Sequence, residues 1–445
     1  MSADDTISKA LGVNLLLLIT FVILQASIIF LTAIIGPAAI IIPPIFFLVL
    51  NFSKVKITVT DFCKFIISLS IFKNFFYLSI YSLFYPEATI AENRIFVLSI
   101  DFQIFLILIL LIAMQLMHGH LKISFFAIYT SLAIVIYFFL GALNADVISA
   151  ITYLRVYFAF IFAVILARYV NLNELSSFSF VLLCVVVLLF LFQFTPNFWQ
   201  LFTLDNFFDL KYGLDHSKSD YISDVDTKFF HYRITRFLGF ELHPISAGYS
   251  ALFLFAAASI RYHKTVRYFL PVLIVMILLS SKGAFAGLIF LVVMYHIQSW
   301  YFRLFVALSY TVLILAISSV PGLTSGYEHL LGLLGGFSQM QNSIIGNGIG
   351  YGGTQSSIKG FGFGGESGLG FVMSHFGYFG LIGYLVLLIS TLRSALSEER
   401  PNVVLIKSLT FVLFVNGILQ EEALFFATSF PVFLMYSIFK APLKT

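Results

Sequence analysis

Apolar runs long enough to cross a membrane recur along almost the whole chain, and they constrain its fold more than any other feature. A helix crosses about 30 Å of hydrocarbon with about 20 mostly apolar residues. Hydrophobic residues make up 60% of the 445 positions and charged residues only 10%, with a mean hydropathy of +1.00. Soluble proteins carry roughly a quarter charged residues. We therefore predict an all-α, polytopic membrane protein.

The apolar runs predict about 12–14 transmembrane helices within one membrane domain covering residues 1–445. Prolines in the second run indicate a kinked or re-entrant segment, and two neighbouring short runs fit either two spans or the halves of a broken hairpin. We expect the first run to be retained as a helix rather than cleaved as a signal peptide. The predicted spans are 12–34, 37–50, 65–84, 95–117, 124–142, 148–169, 177–194, 245–260, 268–280, 283–297, 304–320, 367–392, 404–418 and 424–440.

Lysine and arginine in the short connections between these runs predict the orientation of the chain. If the N-terminus is cytoplasmic, the inner connections receive most of these cations, whereas the short outer connections contain only Arg94. We therefore expect both termini in the cytoplasm. Two long hydrophilic segments, 195–244 and the glycine-rich 321–366, are then both expected as loops on the outer side.

The end of the first hydrophilic segment gathers polar side chains just before an apolar run begins. These side chains are Arg233, Arg236, Glu241 and His243. A guanidinium binds phosphate through two parallel hydrogen bonds, so either arginine suits a lipid phosphate at the membrane boundary. Arginines near helix ends also snorkel to headgroups without binding a specific substrate. Both interpretations remain open.

Two further cations lie where a charge is costly in a membrane. Arg155 is placed about eight residues into its predicted span. We expect it either to face the bundle interior in a functional role or to pair with Asp101. Lys282 lies between two short apolar runs and is either part of a site below the outer surface or a snorkelling lysine in a turn.

Glycine is concentrated in the second hydrophilic segment, where residues 332–370 hold fourteen of the 29 glycines. The stretch from Gly348 to Gly353 matches G-x-G-x-x-G, but no βαβ unit surrounds it, so we reject a dinucleotide site. Glycines such as Gly348 and Gly350 either allow close approach of the backbone to a ligand or form a flexible loop. Glu366 fits either a helix N-cap region or a carboxylate directed into an outer cavity.

Four segments, taken in order, resemble motifs of the O-antigen polymerase and ligase superfamily. Arg236-Phe-Leu-Gly-Phe-Glu-Leu-His-Pro is similar to its R-x-x-G-x-x-x-x-P entry into a membrane helix. Leu278-Leu-Ser-Ser-Lys-Gly-Ala is similar to L-x-x-S-R-G-A, and Gly346-Asn-Gly to its G-x-G turn. The stretch from Glu366 to Gly380 resembles its H-N-x9-G-x-x-G helix. The resemblance covers about residues 230–385.

Two positions depart from the pattern of the superfamily. Lys282 stands where the family has arginine, which keeps the charge but loses the two-pronged contact with phosphate. Glu366 stands where the ligase branch has histidine, which favours a polymerase over a ligase.

The resemblance implies a GT-C-like glycosyltransferase of the bacterial inner membrane. It would join undecaprenyl-pyrophosphate-linked repeat units into O-antigen or a related surface polysaccharide at the periplasmic face. The implied reaction uses no metal or other cofactor. The implied partners are lipid-linked glycans, membrane lipid, a chain-length regulator and a flippase, with no nucleic acid. The expected catalytic residues are Glu366 and Arg236, and the expected pyrophosphate- and glycan-binding residues are Arg155, Arg233, Lys282, Glu241, His243, Gly348 and Gly350.

Two alternatives to the polymerase remain open. An O-antigen ligase or a protein O-oligosaccharyltransferase of the same superfamily would transfer the glycan to a different acceptor. A lipid-glycan flippase or transporter would spread charged residues along a path through the spans. We favour the polymerase over a transporter because the charged residues inside the predicted spans are few and the convergent ones lie toward the predicted outer end.

Overall fold

Helices form most of the structure, which is a computed structural model. It describes residues 13–16, 18–21, 23, 27, 58–84, 109, 112–113, 125–192, 226–229, 232–235, 243–262, 266–279, 281–319, 326–354 and 366–440. The helices in these ranges are α1 (Val59–Phe84), α2 (Phe125–Asn144), α3 (Val147–Leu166), α4 (Leu172–Phe192), α5 (Pro244–Arg261), α6 (Val266–Leu279), α7 (Lys282–His296), α8 (Trp300–Ser318), α9 (Gly326–Asn342), α10 (Gly368–Leu396), α11 (Pro401–Gly417) and α12 (Phe426–Lys440). Short 3-10 turns occupy Ala167–Tyr169 and Glu421–Ala423.

The helices follow the apolar runs closely. The predicted span 65–84 and every predicted span from 124 onward coincide with a described helix. Five helices in the described ranges, α2, α3, α4, α8 and α10, are long and apolar enough to cross a membrane. A helical fold with several candidate membrane spans is therefore confirmed. Spans 12–34, 37–50 and 95–117 lie largely or wholly outside the described residues, so the total number of spans stays a prediction.

A short β-hairpin is a local exception within a fold that, over the described residues, is otherwise all-helical, as predicted. Strands β1 (Asp226–Phe229) and β2 (Tyr232–Thr235) pair antiparallel within the first hydrophilic segment, with Lys228 opposite Arg233. Threonine, isoleucine and aromatic residues favour strands. The charged residues of this segment interrupt the short strand pattern. The sequence therefore predicts only exposure to water there and not the two strands.

The second hydrophilic segment is not a loop throughout, which corrects the prediction for 321–366. Its residues Gly326–Asn342 form α9, which runs parallel to the first half of α10. His329 Nδ1 lies 3.2 Å from Glu366 Oε2 at the start of both helices. Near the end of α9, the Tyr378 N–H donates to the Ile344 carbonyl at 3.0 Å. The chain from His329 to Ile344 therefore runs in the same direction as the chain from Glu366 to Tyr378.

Charge divides the two ends of the helix bundle. Lysines at one end of the bundle pair with nearby carboxylates: Lys64 Nζ lies 3.4 Å from Glu174 Oε2, and Lys407 Nζ donates to Glu398 Oε2 at 2.6 Å. We call this the basic end. Its cations are Lys64, Arg168, Arg261, Arg303, Arg393, Arg400, Lys407 and Lys440. The opposite or acidic end carries Asp146, Glu366, Glu421 and Glu422.

Helices α5 and α11 form the centre of the described bundle. All residues from Val403 to Gly417 in α11 are buried. A helix that is apolar around its whole circumference must be enclosed by other helices. By contrast, α2 and α8 expose large apolar side chains such as Phe125 and Val312, whose exposed fractions are 78% and 65%. Such faces suit contact with lipid.

Candidate functional site at the acidic end

The turn Glu421–Ala423 lies at the centre of the candidate site. The Glu421 side chain is 3% exposed, and its Oε2 accepts a hydrogen bond from the Tyr153 hydroxyl at 3.0 Å. The Thr354 N–H also points to Oε2, at 3.4 Å. The Glu421 N–H donates to the Glu366 carbonyl at 2.8 Å. Residues from α3, from the glycine-rich segment and from the residues just before α10 thus meet at Glu421.

Burial raises the pKa of Glu421 to about 7. This value is a balance: burial raises the pKa most, hydrogen bonds from Thr354 and Tyr153 lower it because they stabilise the charged form, and the nearby Glu366 carboxylate contributes a smaller increase. A carboxyl group that titrates near neutral pH can accept a proton in one state and donate it in the other.

Glu422 faces a histidine that caps α5. The N–H of Ser246 points to His243 Nδ1 at 3.4 Å, so Nδ1 is the acceptor and the proton of a neutral ring lies on Nε2. That Nε2 lies 3.9 Å from Glu422 Oε1. Pro244 begins the helix with its fixed φ, which suits the first helical position. The cap geometry therefore aims the histidine proton toward the acidic turn.

The N-terminus of α7 packs against the same connection. The Tyr249 hydroxyl donates to Gln420 Oε1 at 2.9 Å. A Cβ added to Gly283 would lie 2.9 Å from the same Gln420 oxygen, so glycine allows α7 to approach this closely. Lys282, the first residue of α7, is half-buried beside this contact. The packing thus brings the start of α7 next to the turn that carries Glu421.

The glycine-rich segment beyond α9 lies against the bent part of α10. Gly377 has φ of +59° inside α10, which frees carbonyls of the preceding turn. The Gly348 N–H donates to the His375 carbonyl at 3.1 Å, and the Asn347 N–H to the Ser374 carbonyl at 2.9 Å. Irregular backbone at membrane depth is tolerated only where protein satisfies its polar groups. These hydrogen bonds meet that requirement.

A buried histidine fixes the glycine-rich segment to α3. His375 is fully buried, and its Nε2 accepts a hydrogen bond from the Gly350 N–H at 3.0 Å. Since the backbone N–H can only donate, the ring proton lies on Nδ1, 2.6 Å from the Tyr157 hydroxyl oxygen. The histidine therefore connects three elements through a defined tautomer.

The structure brings three of the predicted site residues to one place. Glu366 lies beside Glu421 through the backbone hydrogen bond, and His243 faces Glu422. Lys282 is the first residue of α7, and α7 packs against Gln420, the residue before Glu421. Their predicted roles in binding or catalysis remain predictions.

The other predicted residues have different positions. Gly348 and Gly350 are buried against the protein's own backbone. Arg155 lies two residues after Tyr153 on α3, which places it about 200° around the helix axis and away from Glu421. Arg233 lies in β2, and its side chain is outside the described part of the structure.

The remaining predicted residues, Arg236 and Glu241, lie outside the described residues.

Four residues of this region were not predicted from the sequence: Glu421, Glu422, Tyr153 and His375. A pair of adjacent acidic residues in a five-residue connection between two apolar runs is a usable signal for the first two. A histidine inside a predicted span is another, because ionisable residues within membranes usually have a function. Tyr153 offers no such signal, since an aromatic residue in an apolar run is ordinary.

The described residues contain no group of three or more histidine, cysteine, aspartate or glutamate side chains arranged to hold a metal ion. The fold and the site are those of a helical protein with membrane-type spans and a buried, titratable carboxylate at its acidic end. The chain matches no protein-family model, no curated protein and no solved structure.

Proposed function

We propose that the protein is a glycosyltransferase that polymerises undecaprenyl-pyrophosphate-linked repeat units at the outer face of the inner membrane. The observation that supports this most is Glu421, a buried carboxyl group whose pKa is raised to about 7 where several helix termini converge. A general base works best when its pKa lies near the working pH. The motif resemblance supplies the substrate class.

In the proposed reaction, the acceptor hydroxyl oxygen attacks the anomeric carbon of the donor glycan. The bond from that carbon to the pyrophosphate oxygen breaks, and undecaprenyl pyrophosphate leaves with the electron pair. The hydroxyl proton passes to the Glu421 carboxylate. Cations stabilise the negative charge that develops on the leaving pyrophosphate. Lys282, at the start of α7, and Arg236, in the hydrophilic segment 195–244 of the sequence, are the proposed cations.

Glu421 and Glu366 have different proposed roles because their environments differ. The side chain of Glu366 is 43% exposed and lies 3.2 Å from His329 Nδ1, whereas Glu421 is 3% exposed. A partly dry environment favours proton acceptance from a sugar hydroxyl over exchange with water. We therefore assign the base to Glu421. Glu366, which the sequence predicts as catalytic, would raise the proton affinity of Glu421 through its charge.

The assignment is tested by replacing Glu421 with glutamine in cells that depend on this protein for surface polysaccharide. Glu421→Gln should reduce polymerisation at least about 100-fold, leaving single-repeat glycans, because a general base contributes that much. Arg236→Ala should give the same short glycans. Glu174→Gln, a change to a carboxylate 49% exposed at the basic end, is the matched control and should leave long chains. Long chains in the Glu421→Gln strain, with the protein inserted normally, would overturn the assignment.

A further inference from the structure

A second concave site lies at the basic end, far along the bundle from Glu421. A cavity of about 1010 Å³ opens between the start of α8 and the end of α10. Its wall includes residues from Gln298 to Arg303 and from Ile389 to Glu399. None of these residues takes part in the proposed glycosyl transfer.

The wall of the cavity changes from apolar to polar along α10. Ile389, 62% exposed, and Leu392 form the apolar part, Arg393 follows, and Glu399 lies at the polar end. The helical part of this wall, from Ile389 to Leu396, rises about 10 Å, and Glu399 lies in the connection beyond it. This order of apolar and then charged side chains matches an amphiphile in which the charged group lies next to the acyl chains.

Two arginines line the cavity in different ways. Arg303 is 2% exposed, and its Nε donates to the Ile297 carbonyl at 2.7 Å, so it is committed to holding the turn before α8. Arg393 is exposed and, within the described part of the chain, has neither a hydrogen bond nor a salt bridge from its side chain. Its guanidinium is therefore available to an anion in the cavity.

The carboxylates of the wall do not cancel this positive charge. Glu398 accepts hydrogen bonds from Arg400 Nε at 2.8 Å and from Lys407 Nζ at 2.6 Å, so its charge is already balanced. Glu399 is exposed at the outer rim, six residues beyond Arg393. With Arg400 and Lys407 beside the wall included, four cations lie in or next to the cavity against two carboxylates, Glu398 and Glu399.

Aromatic residues mark the level of the membrane interface on the α8 side. Trp300 and Tyr301 are 49% and 67% exposed, and their ring centroids are 3.8 Å apart. Tryptophan and tyrosine concentrate at the headgroup level of membranes. We therefore expect the cavity at the level of the phospholipid headgroups.

We propose that this cavity binds an anionic phospholipid. Its phosphate would contact Arg393, and its acyl chains would lie along Ile389 and Leu392. Clusters of cations beside membrane helices attract anionic lipids, with about 1 kcal/mol from each lysine or arginine near the surface. A zwitterionic lipid of the same chain length gains less from that charge.

The experiment is native mass spectrometry of the full-length purified protein titrated with phosphatidylglycerol or with phosphatidylcholine of identical acyl chains. The wild-type protein should retain phosphatidylglycerol preferentially. Arg393→Gln should weaken phosphatidylglycerol binding about fivefold and leave phosphatidylcholine binding unchanged. Arg393→Lys should keep most of the preference because it keeps the charge. Arg168→Gln, which removes another exposed cation at the basic end, is the matched control and should behave like the wild type.

Two results would overturn the proposal. One is equal binding of the two lipids by the wild-type protein. The other is an Arg393→Gln variant that elutes and melts like the wild type and still prefers phosphatidylglycerol to the same degree, since the preference would then arise elsewhere. Because the Arg393 side chain is exposed, its replacement should not disturb the fold.

Discussion

At the scale of single residues, the environment of Glu421 decides what the acidic end can do. Burial opposes ionisation, and the hydrogen bonds from Tyr153 and Thr354 favour it. The balance places the pKa at about 7. Below that pH the protonated form predominates and cannot act as a base. Above it, the carboxylate is available to accept a proton.

The rate of polymerisation should therefore rise with pH and reach half its maximum near pH 7, as the Glu421 carboxyl group loses its proton. Tyr153→Phe removes a hydrogen bond that stabilises the carboxylate, so it should shift the midpoint of kcat/KM to higher pH. Tyr384→Phe removes the bond from another buried hydroxyl to the Phe414 carbonyl and serves as the control, with an unchanged midpoint. Equal midpoints in all three proteins would contradict the role of Glu421.

The partners of Glu421 could not be predicted from the sequence. Tyr153 and Glu421 are 268 positions apart, and only the packing of α3 against α12 and its preceding turn brings them together. His243 and Glu366 carry detectable signals, because a polar residue just before an apolar run often caps a helix. Sequence patterns thus identify residues at helix ends but not which helix ends meet.

At the scale of elements, α9 and the glycine-rich segment act as one unit packed on α10. Glycine lowers the helix propensity of 326–342, so local sequence favours a loop there. Close packing against α10 overrides that preference: a Cβ on Gly336 would lie 2.5 Å from the Gly370 Cα. The apolar runs, by contrast, predict their helices well because their length and composition suffice. The packing of α9 on the glycine-rich start of α10 has no comparable pattern in the sequence.

Replacing Gly348 by alanine should disrupt this unit. Gly348 has φ of +93°, and an added Cβ would lie 2.1 Å from the Gly141 nitrogen on α2. Gly348→Ala should therefore lower the thermal midpoint of the purified protein or prevent its accumulation. Gly383→Ala is the matched control, since nothing lies within 4 Å of its added Cβ. That control should be neutral or stabilise α10 by up to about 1 kcal/mol. Similar midpoints for both variants would contradict the packing described.

At the scale of the whole molecule, the charge difference between the two ends predicts how the protein lies in the membrane. Lysine and arginine favour the cytoplasmic side. The cationic helix ends collected at the basic end include residues far apart in the sequence, from Lys64 to Lys440. We therefore expect the basic end in the cytoplasm and the acidic end on the outer side, in agreement with the reaction proposed for Glu421.

Cysteine labelling tests this orientation. Leu143→Cys, at a position 84% exposed near the acidic end, should react with a membrane-impermeant maleimide added to intact cells. Glu399→Cys, at the basic end, should react only after the membrane is opened. The labelling would use a Cys184→Ser background because Cys184 is exposed, whereas Cys63 is buried. Labelling of both positions from the same side would contradict the expected orientation.

The most direct measurement is the product length formed by purified protein from lipid-linked repeat units alone. The proposed function predicts a ladder of longer lipid-linked glycans without any second acceptor, and single repeats when Glu421→Gln replaces the wild-type protein. A wild-type protein that transfers repeats only after addition of a lipid A core or a protein acceptor would instead indicate a ligase or a protein oligosaccharyltransferase. Repeats moved across a vesicle membrane without lengthening would contradict glycosyl transfer altogether.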